Sequence, residues 1–201
     1  MNFLLKSVSY LFHPVWMPFA GTLLYFLISP RFFPFPVVKA KILAIAILSV
    51  FIPIVFYLML KTLGKTTSHF LSDVKERKWP LLLNAFLDLL ILKFILDTFD
   101  YPELYYFFLG IFLSTTSALL LVLLKIKVSL HMIGLGGITA FLVLLSFHFN
   151  LNLIYTISFL IAMTGLTATS RLHFRAHTMT ELVLGLLLGI VPQAAVALVW
   201  L

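Results

Sequence analysis

The sequence predicts an all-α fold, a polytopic transmembrane helical bundle of about six to seven spans. Three observations predict it. Hydrophobic residues make up 62% of the 201-residue chain and charged residues only 10%, against roughly 25% charged residues in an average soluble domain. Mean hydropathy is +1.13, more apolar surface than a soluble chain of this size has interior to hide. The apolar residues also run continuously, not in the alternating segments of about ten residues expected of barrel strands. In lipid such a run satisfies its own backbone only as a helix. One membrane domain covering residues 1–201 accounts for the whole chain.

Seven runs approach the roughly 20 apolar residues that a span needs: 11–28, 42–60, 81–96, 104–124, 132–147, 153–169 and 182–201. The first is interrupted by His13, Pro14 and Pro18 and is too long and broken for a signal peptide, so it is expected to be retained. The third is short. Pro80 suits its first turn. Asn84 and Asp88 lie one helical turn apart within it, and an intramembrane carboxylate marks either a functional site or a polar contact between helices. Lys93 and Asp97, four apart near its far end, read as a snorkelling pair. Residues 114–117, 134–137 and the Gly185 and Gly189 pair offer the small side chains that close helix packing uses.

The links between runs divide by composition. Seven crossings put the links after the second, fourth and sixth runs on one side. Those links hold most of the polar chemistry: His69, Lys75, Arg77, Lys78, Ser129, His131, Arg171, His173, Arg175, His177 and Glu181. The opposite links hold mainly acids and a few cations, and His13, His69 and His148 read as interfacial. The formal net charge is +7. With the basic residues scattered over short loops, it points to anionic headgroups rather than to nucleic acid. There are no cysteines, which excludes disulfides, thiolate metal sites and cysteine nucleophiles.

Three of the links carry chemistry-bearing patterns. In SRLHFRAHTMTE, His177 and Glu181 are four apart and share a helix face. A carboxylate there can hold one imidazole nitrogen and leave the other nucleophilic. Arg171 supplies a planar fork for phosphate oxygens. The same segment also reads as a basic interfacial loop with snorkelling side chains. In KVSLH, Ser129 and His131 stand at the start of the fifth span, where free N–H groups favour an anion and a histidine can act as a general acid. Ser129 also reads as a simple helix cap. In SDVKERKWP, Lys75, Arg77 and Lys78 form a compact cationic cluster, suited to neutralising phosphate or to fixing topology. His173 and His177 have metal-ligand spacing, but no third ligand has an obvious place, so no metal site is expected.

Taken in order, these patterns resemble the motifs of the type-2 phosphatidic acid phosphatase superfamily of membrane enzymes, over roughly residues 73–189. That family's third motif reads Ser-Arg, five residues, His, three residues, Asp. Ser170, Arg171 and His177 match it in type and spacing, with Glu181 in the place of the aspartate. Its second motif reads Pro-Ser-Gly-His; here VSLH keeps Ser129 and His131 and places Leu130 where the glycine stands, against close backbone approach to a phosphate. Its first motif pairs a lysine with an Arg-Pro; KERKWP keeps the residue types and not the spacing.

The resemblance implies a phosphatase-like core over about residues 61–201. It also implies a metal-independent mechanism without cofactor, acting on a lipid phosphate or polyprenyl diphosphate. His177 would attack phosphorus to form a phosphohistidine, Glu181 would orient it, and His131 would protonate the leaving oxygen. Ser129, Ser170, Arg171 and a cation from Lys75, Arg77 or Lys78 would hold the phosphoryl oxygens. The expected surroundings are the lipids of a bacterial inner membrane. Ten cations on the chemical side against three opposite point that side to the cytoplasm, whereas bacterial relatives usually place the site outside. Two alternatives stay open: a catalytically degenerate relative that binds phosphorylated lipid or a protein partner, and a transporter or assembly component.

Overall fold

The computed structural model describes residues 2–64 and 74–201, with Lys75 described in its backbone alone. His69 therefore lies outside the described residues. The elements in chain order are α1 (Asn2–Leu11), α2 (Met17–Ile28), α3 (Phe35–Ala46), α4 (Ile52–Thr62), α5 (Lys78–Leu90), α6 (Pro102–Leu123), α7 (Leu130–His148), α8 (Ile154–His173) and α9 (Met179–Trp200). Short 3₁₀ turns at Pro14–Trp16 and Lys75–Arg77 and wide π turns at Ile47–Phe51 and Ile91–Ile95 join or extend them.

Five helical stretches are long and apolar enough to cross a membrane: Asn2–Ile28, Phe35–Thr62, Pro102–Leu123, Leu130–His148 and Met179–Trp200. The two remaining expected spans are also helical. Helix α5 with its π turn is short and carries Asn84 and Asp88. Helix α8 is interrupted by Thr156, Ser158, Thr164, Thr167 and Ser170. The first stretch begins at Asn2, not near residue 11 as its hydropathy suggested. Helix α1 precedes the His13–Pro14 break, and Pro14 opens the 3₁₀ turn that joins it to α2.

Pro192 shapes α9 by releasing a carbonyl that a neighbouring helix takes up. Pro192 lies inside α9 and has no N–H for the carbonyl four residues before it. That carbonyl, of Leu188, accepts the Ser114 hydroxyl of α6 at 2.8 Å. One position further on, Gln193 donates from Nε2 to the Phe107 carbonyl at 3.0 Å, in space left free by Gly110. In a bilayer such bonds replace water. Helices α7 and α9 approach backbone to backbone. A Cβ on Gly189 would collide with the Ile133 carbonyl and lie 2.8 Å from the Gly137 nitrogen. The core sits among α2, α6 and α7, where Tyr25, Phe107, Phe108, Phe141 and Leu142 are fully buried and the Phe107 and Phe141 rings stack at 4.2 Å.

The face opposite the expected site is more organised than its sequence suggests. Glu103, at the start of α6, is fully buried. It accepts from Tyr25 Oη at 3.0 Å, pairs with Arg31 Nη2 at 2.5 Å and with His148 Nε2 at 3.1 Å. His148 also meets the Trp200 ring edge-on at 5.1 Å, so it is a braced residue and not an unpartnered interfacial one. Lys93 and Asp97 do not pair. Asp97 Oδ1 accepts the backbone N–H groups of Phe99 and Asp100, and the Lys93 ammonium lies 5.4 Å from the Phe94 ring. The Asx turn offers Asp97 two fixed donors, against one mobile lysine. Asp88 accepts from the Thr115 hydroxyl of α6 at 3.3 Å, a polar contact between helices.

Candidate functional site

The three chemistry-bearing links meet at one end of the bundle, stitched by main-chain carbonyls. Arg77 donates from Nη1 to the Val128 carbonyl at 2.6 Å, tying the first link to the second. The Ser129 N–H donates to the Glu181 carbonyl at 3.1 Å, and Lys127 Nζ to the Ala176 carbonyl at 2.8 Å, tying the second to the third. Gly185 lets the second and third approach: a Cβ there would lie 2.5 Å from the Ser129 carbonyl.

Local structure sets the relation of Arg171 to His177. Arg175 adopts a left-handed conformation (φ 49°) just past α8; its N–H donates to the Leu172 carbonyl and the Ala176 N–H to the Arg171 carbonyl, both at 2.9 Å, and the His177 N–H also reaches the Arg171 carbonyl at 3.4 Å. This is the Schellman arrangement, made here without glycine. Thr178 then caps α9, its hydroxyl accepting from the Glu181 N–H at 3.3 Å. In a capping box the glutamate reaches back to the cap residue's N–H. Glu181 instead takes His177 Nδ1 at 2.6 Å.

The His177 side chain is 2% exposed, and its ring has no other hydrogen bond among the described residues. Burial pushes its pKa down to about 4. The bond to Glu181 opposes that shift, and the Arg77 and Lys127 charges reinforce it. The ring is thus neutral at pH 7. A carboxylate only accepts, so the proton sits on Nδ1 and the Nε2 lone pair is free. Burial also draws Arg77 down to about 10, still cationic at neutral pH.

A cleft of about 290 Å³ opens beside this pair. Its wall includes Lys6, Arg77, Lys127, Arg171 and Arg175, together with Ser9 and Ala176, the residue preceding His177. No carboxylate stands among the described residues that line it. Arg77 and Arg171 are buried at 3% exposure, while Lys6 and Arg175 are exposed. A second, largely apolar cavity of about 380 Å³ lies within the bundle, lined by Trp16, Tyr57, Leu83, Leu130 and Ile133, with His13 and Asp88 among its polar points. His13 links the two regions: its ring meets His131 edge-on at 5.3 Å, and it feels the charge of Arg171.

Of the residues expected at the site, Arg77 and Arg171 line this cleft; Ser129, His131, Ser170, His177 and Glu181 lie at the same end of the bundle without lining it, with differing engagements. Ser129 stands at the cap position of α7 but makes no capping bond. Its hydroxyl is buried and unpartnered among the described residues. Ser170 donates to the Leu5 carbonyl and meets Ser9 Oγ, both at 2.7 Å, so it fastens α8 to α1. His131 Nε2 lies 3.1 Å from the Ser9 carbonyl. A carbonyl cannot donate, so this nitrogen carries the proton. Lys78 is exposed, its ammonium 5.4 Å from the Trp79 ring, and is not among the lining residues. Lys75 is described in its backbone alone.

Leu130 does not block the cleft. It packs with Leu81, Ala118, Val122 and Val128, because the helical turn at α7 sends its side chain to the apolar side. His173 bonds Asn2 Oδ1 at 2.9 Å. Among the described residues no group of three His, Asp or Glu is placed to hold a metal ion. Sequence reasoning missed the part played by α1, which brings Ser9 and Lys6 to the cleft. It also missed the Thr178–Glu181 capping pair, which the T-x-x-E spacing before an apolar run signals. No protein-family model, no curated protein and no solved structure matches the chain.

Proposed function

We propose that this protein is a membrane-embedded phosphatase that removes a phosphoryl group from a lipid phosphate or diphosphate, with His177 as nucleophile. The observation that carries this reading is the buried His177–Glu181 pair, its Nε2 without a partner among the described residues, beside a cleft whose described lining holds five cations and no acid. A neutral imidazole held by a carboxylate is an activated nucleophile. The guanidiniums of Arg77 and Arg171 and the unpartnered Ser129 hydroxyl offer fixed donors to a phosphoryl group, and preorganised charge is the main catalytic lever in phosphoryl transfer. The apolar cavity behind His13 suits the hydrocarbon chain of such a substrate. Ser170, bonded to α1, acts on this reading as a positioning residue.

Phosphate release from a prenyl phosphate in detergent micelles tests the proposal, with wild type and His177→Ala compared at equal fold content by circular dichroism. Turnover lost on the order of 10³-fold or more in the variant is expected of a missing nucleophile. Equal rates would remove His177 from the chemistry. Binding of the same lipid without turnover in wild type would favour a phospholipid-binding protein instead.

A further inference from the structure

We propose that the cavity within the bundle is a second binding site, for a lipophilic amine whose ammonium pairs with Asp88. The inference stands apart from the phosphatase reading, since it uses no residue that lines the cationic cleft. Three observations carry it.

The first is a carboxylate without a matching charge. Asp88 of α5 is buried at 5% exposure and lines the cavity. Its one hydrogen bond among the described residues comes from the Thr115 hydroxyl at 3.3 Å, longer than the roughly 2.5–3.0 Å of a good O–H···O bond. A carboxylate has about four lone-pair sites, so most of its accepting capacity is unmet. No lysine or arginine stands among the described residues that line the cavity, and none of the described cations pairs with Asp88. A carboxylate within a membrane is costly unless paired or put to use.

The second is Asn84, one helical turn nearer the cleft end. It lies on the same face of α5, lines the same cavity and makes no hydrogen bond to a described residue. An amide is costly to leave unbonded away from water. Its carbonyl adds an acceptor one turn from the carboxylate. Two neighbouring acceptors fit a group with several donors, and a primary ammonium has three and no acceptor.

The third is the rest of the wall. Trp16, Phe56, Tyr57 and Phe107 line the cavity among aliphatic side chains, and aromatic faces attract cations. Its volume of about 380 Å³ falls in the ~300–1,000 Å³ range of small-molecule sites. The π turn Ile47–Phe51 brings Leu48 and Ser49 to the same wall, and such turns recur at functional positions. A hydrocarbon chain alone would fill the space and leave Asp88 and Asn84 unmatched. A bare metal ion would meet the oxygens and leave the apolar wall uncovered. An ammonium on an apolar body satisfies both.

The test is calorimetric titration of the purified full chain in detergent with decylamine, decanol and decanoate, for wild type and Asp88→Asn. Uptake by the micelle is common to both proteins, so their difference reports the cavity. The substitution keeps the side-chain shape and an oxygen for Thr115. Wild type is expected to bind decylamine at least about tenfold more tightly than decanol, the scale of one charge-assisted hydrogen bond, with decanoate weakest. That preference should vanish in Asp88→Asn. Equal binding of amine and alcohol by wild type, or a preference that persists in the variant, overturns the inference. Should the variant fail to fold, photolabelling of wild type with a diazirine-bearing decylamine decides. Label concentrated on the cavity-lining residues of α4 and α5 is expected, and label confined to other segments overturns the inference. Neither result bears on the turnover of lipid phosphates.

Discussion

A buried imidazole beside two cations holds its proton poorly, and His177 shows the consequence at the scale of one residue. Burial, then the charges of Arg77 and Lys127, outweigh the bond to Glu181 and lower its pKa from the ordinary 6.5 to about 4. The form able to attack phosphorus is the neutral one. It persists as pH falls below 6.5 and is lost only as pH passes through about 4. The acid limb of the kcat/KM profile is therefore expected near pH 4. In Arg77→Gln, with one repelling charge gone, that limb should move upward toward 6.5. A limb already near 6.5 in wild type would contradict the burial of the ring. Glu181→Gln keeps the shape of the partner but not its charge, and should lower kcat by on the order of 10² or more. The pairing itself was legible from the four-residue spacing, although not for the expected reason: α9 begins at Met179, and His177 meets Glu181 from just ahead of the Thr178 cap. The fate of Leu130 was not: sequence placed it beside the phosphate, and the direction of its side chain emerged only with the helix around it.

At the scale of elements, the site depends on how closely α9 meets α7. Gly189 has no room for a Cβ between the Ile133 carbonyl and the Gly137 nitrogen, whereas Gly165 on α8 faces open space. The same substitution should therefore have opposite effects. Gly189→Ala forces two backbones apart, an overpacking of about 1–3 kcal/mol, and should lower the unfolding temperature in detergent. Gly165→Ala gains helix propensity, up to about 1 kcal/mol, and should leave that temperature level or raise it. Equal losses at both positions would contradict the packing described. The small residues were readable as packing sites, but their partners were not, since α7 and α9 are joined only by the fold. Nor could spacing reveal the Schellman turn at Arg175, because the usual glycine is absent.

At the scale of the whole molecule, alternation of the helical links separates two polar ends. One holds the cationic cleft. The other is closed around Glu103, which ties the start of α6 to Arg31 in the α2–α3 link and to His148 at the end of α7. The all-helical architecture followed directly from hydropathy, since lipid leaves a continuous apolar run no other way to satisfy its backbone. The Glu103 brace did not, because a buried carboxylate and a loop carboxylate look alike in sequence. Helix α1 was hidden for a similar reason: its contribution of Lys6 and Ser9 depends on docking against α8, more than 160 residues away along the chain.

On the proposed function, these distant stretches assemble into one site whose nucleophile is His177. Rapid quench of the purified protein with a prenyl diphosphate, followed by intact-mass and peptide analysis under non-acidic conditions, tests it most directly. One added phosphoryl group is expected, located on His177 and absent from His177→Ala. Turnover without any phosphoryl-protein species, or a phosphoryl group found on another residue, would contradict it.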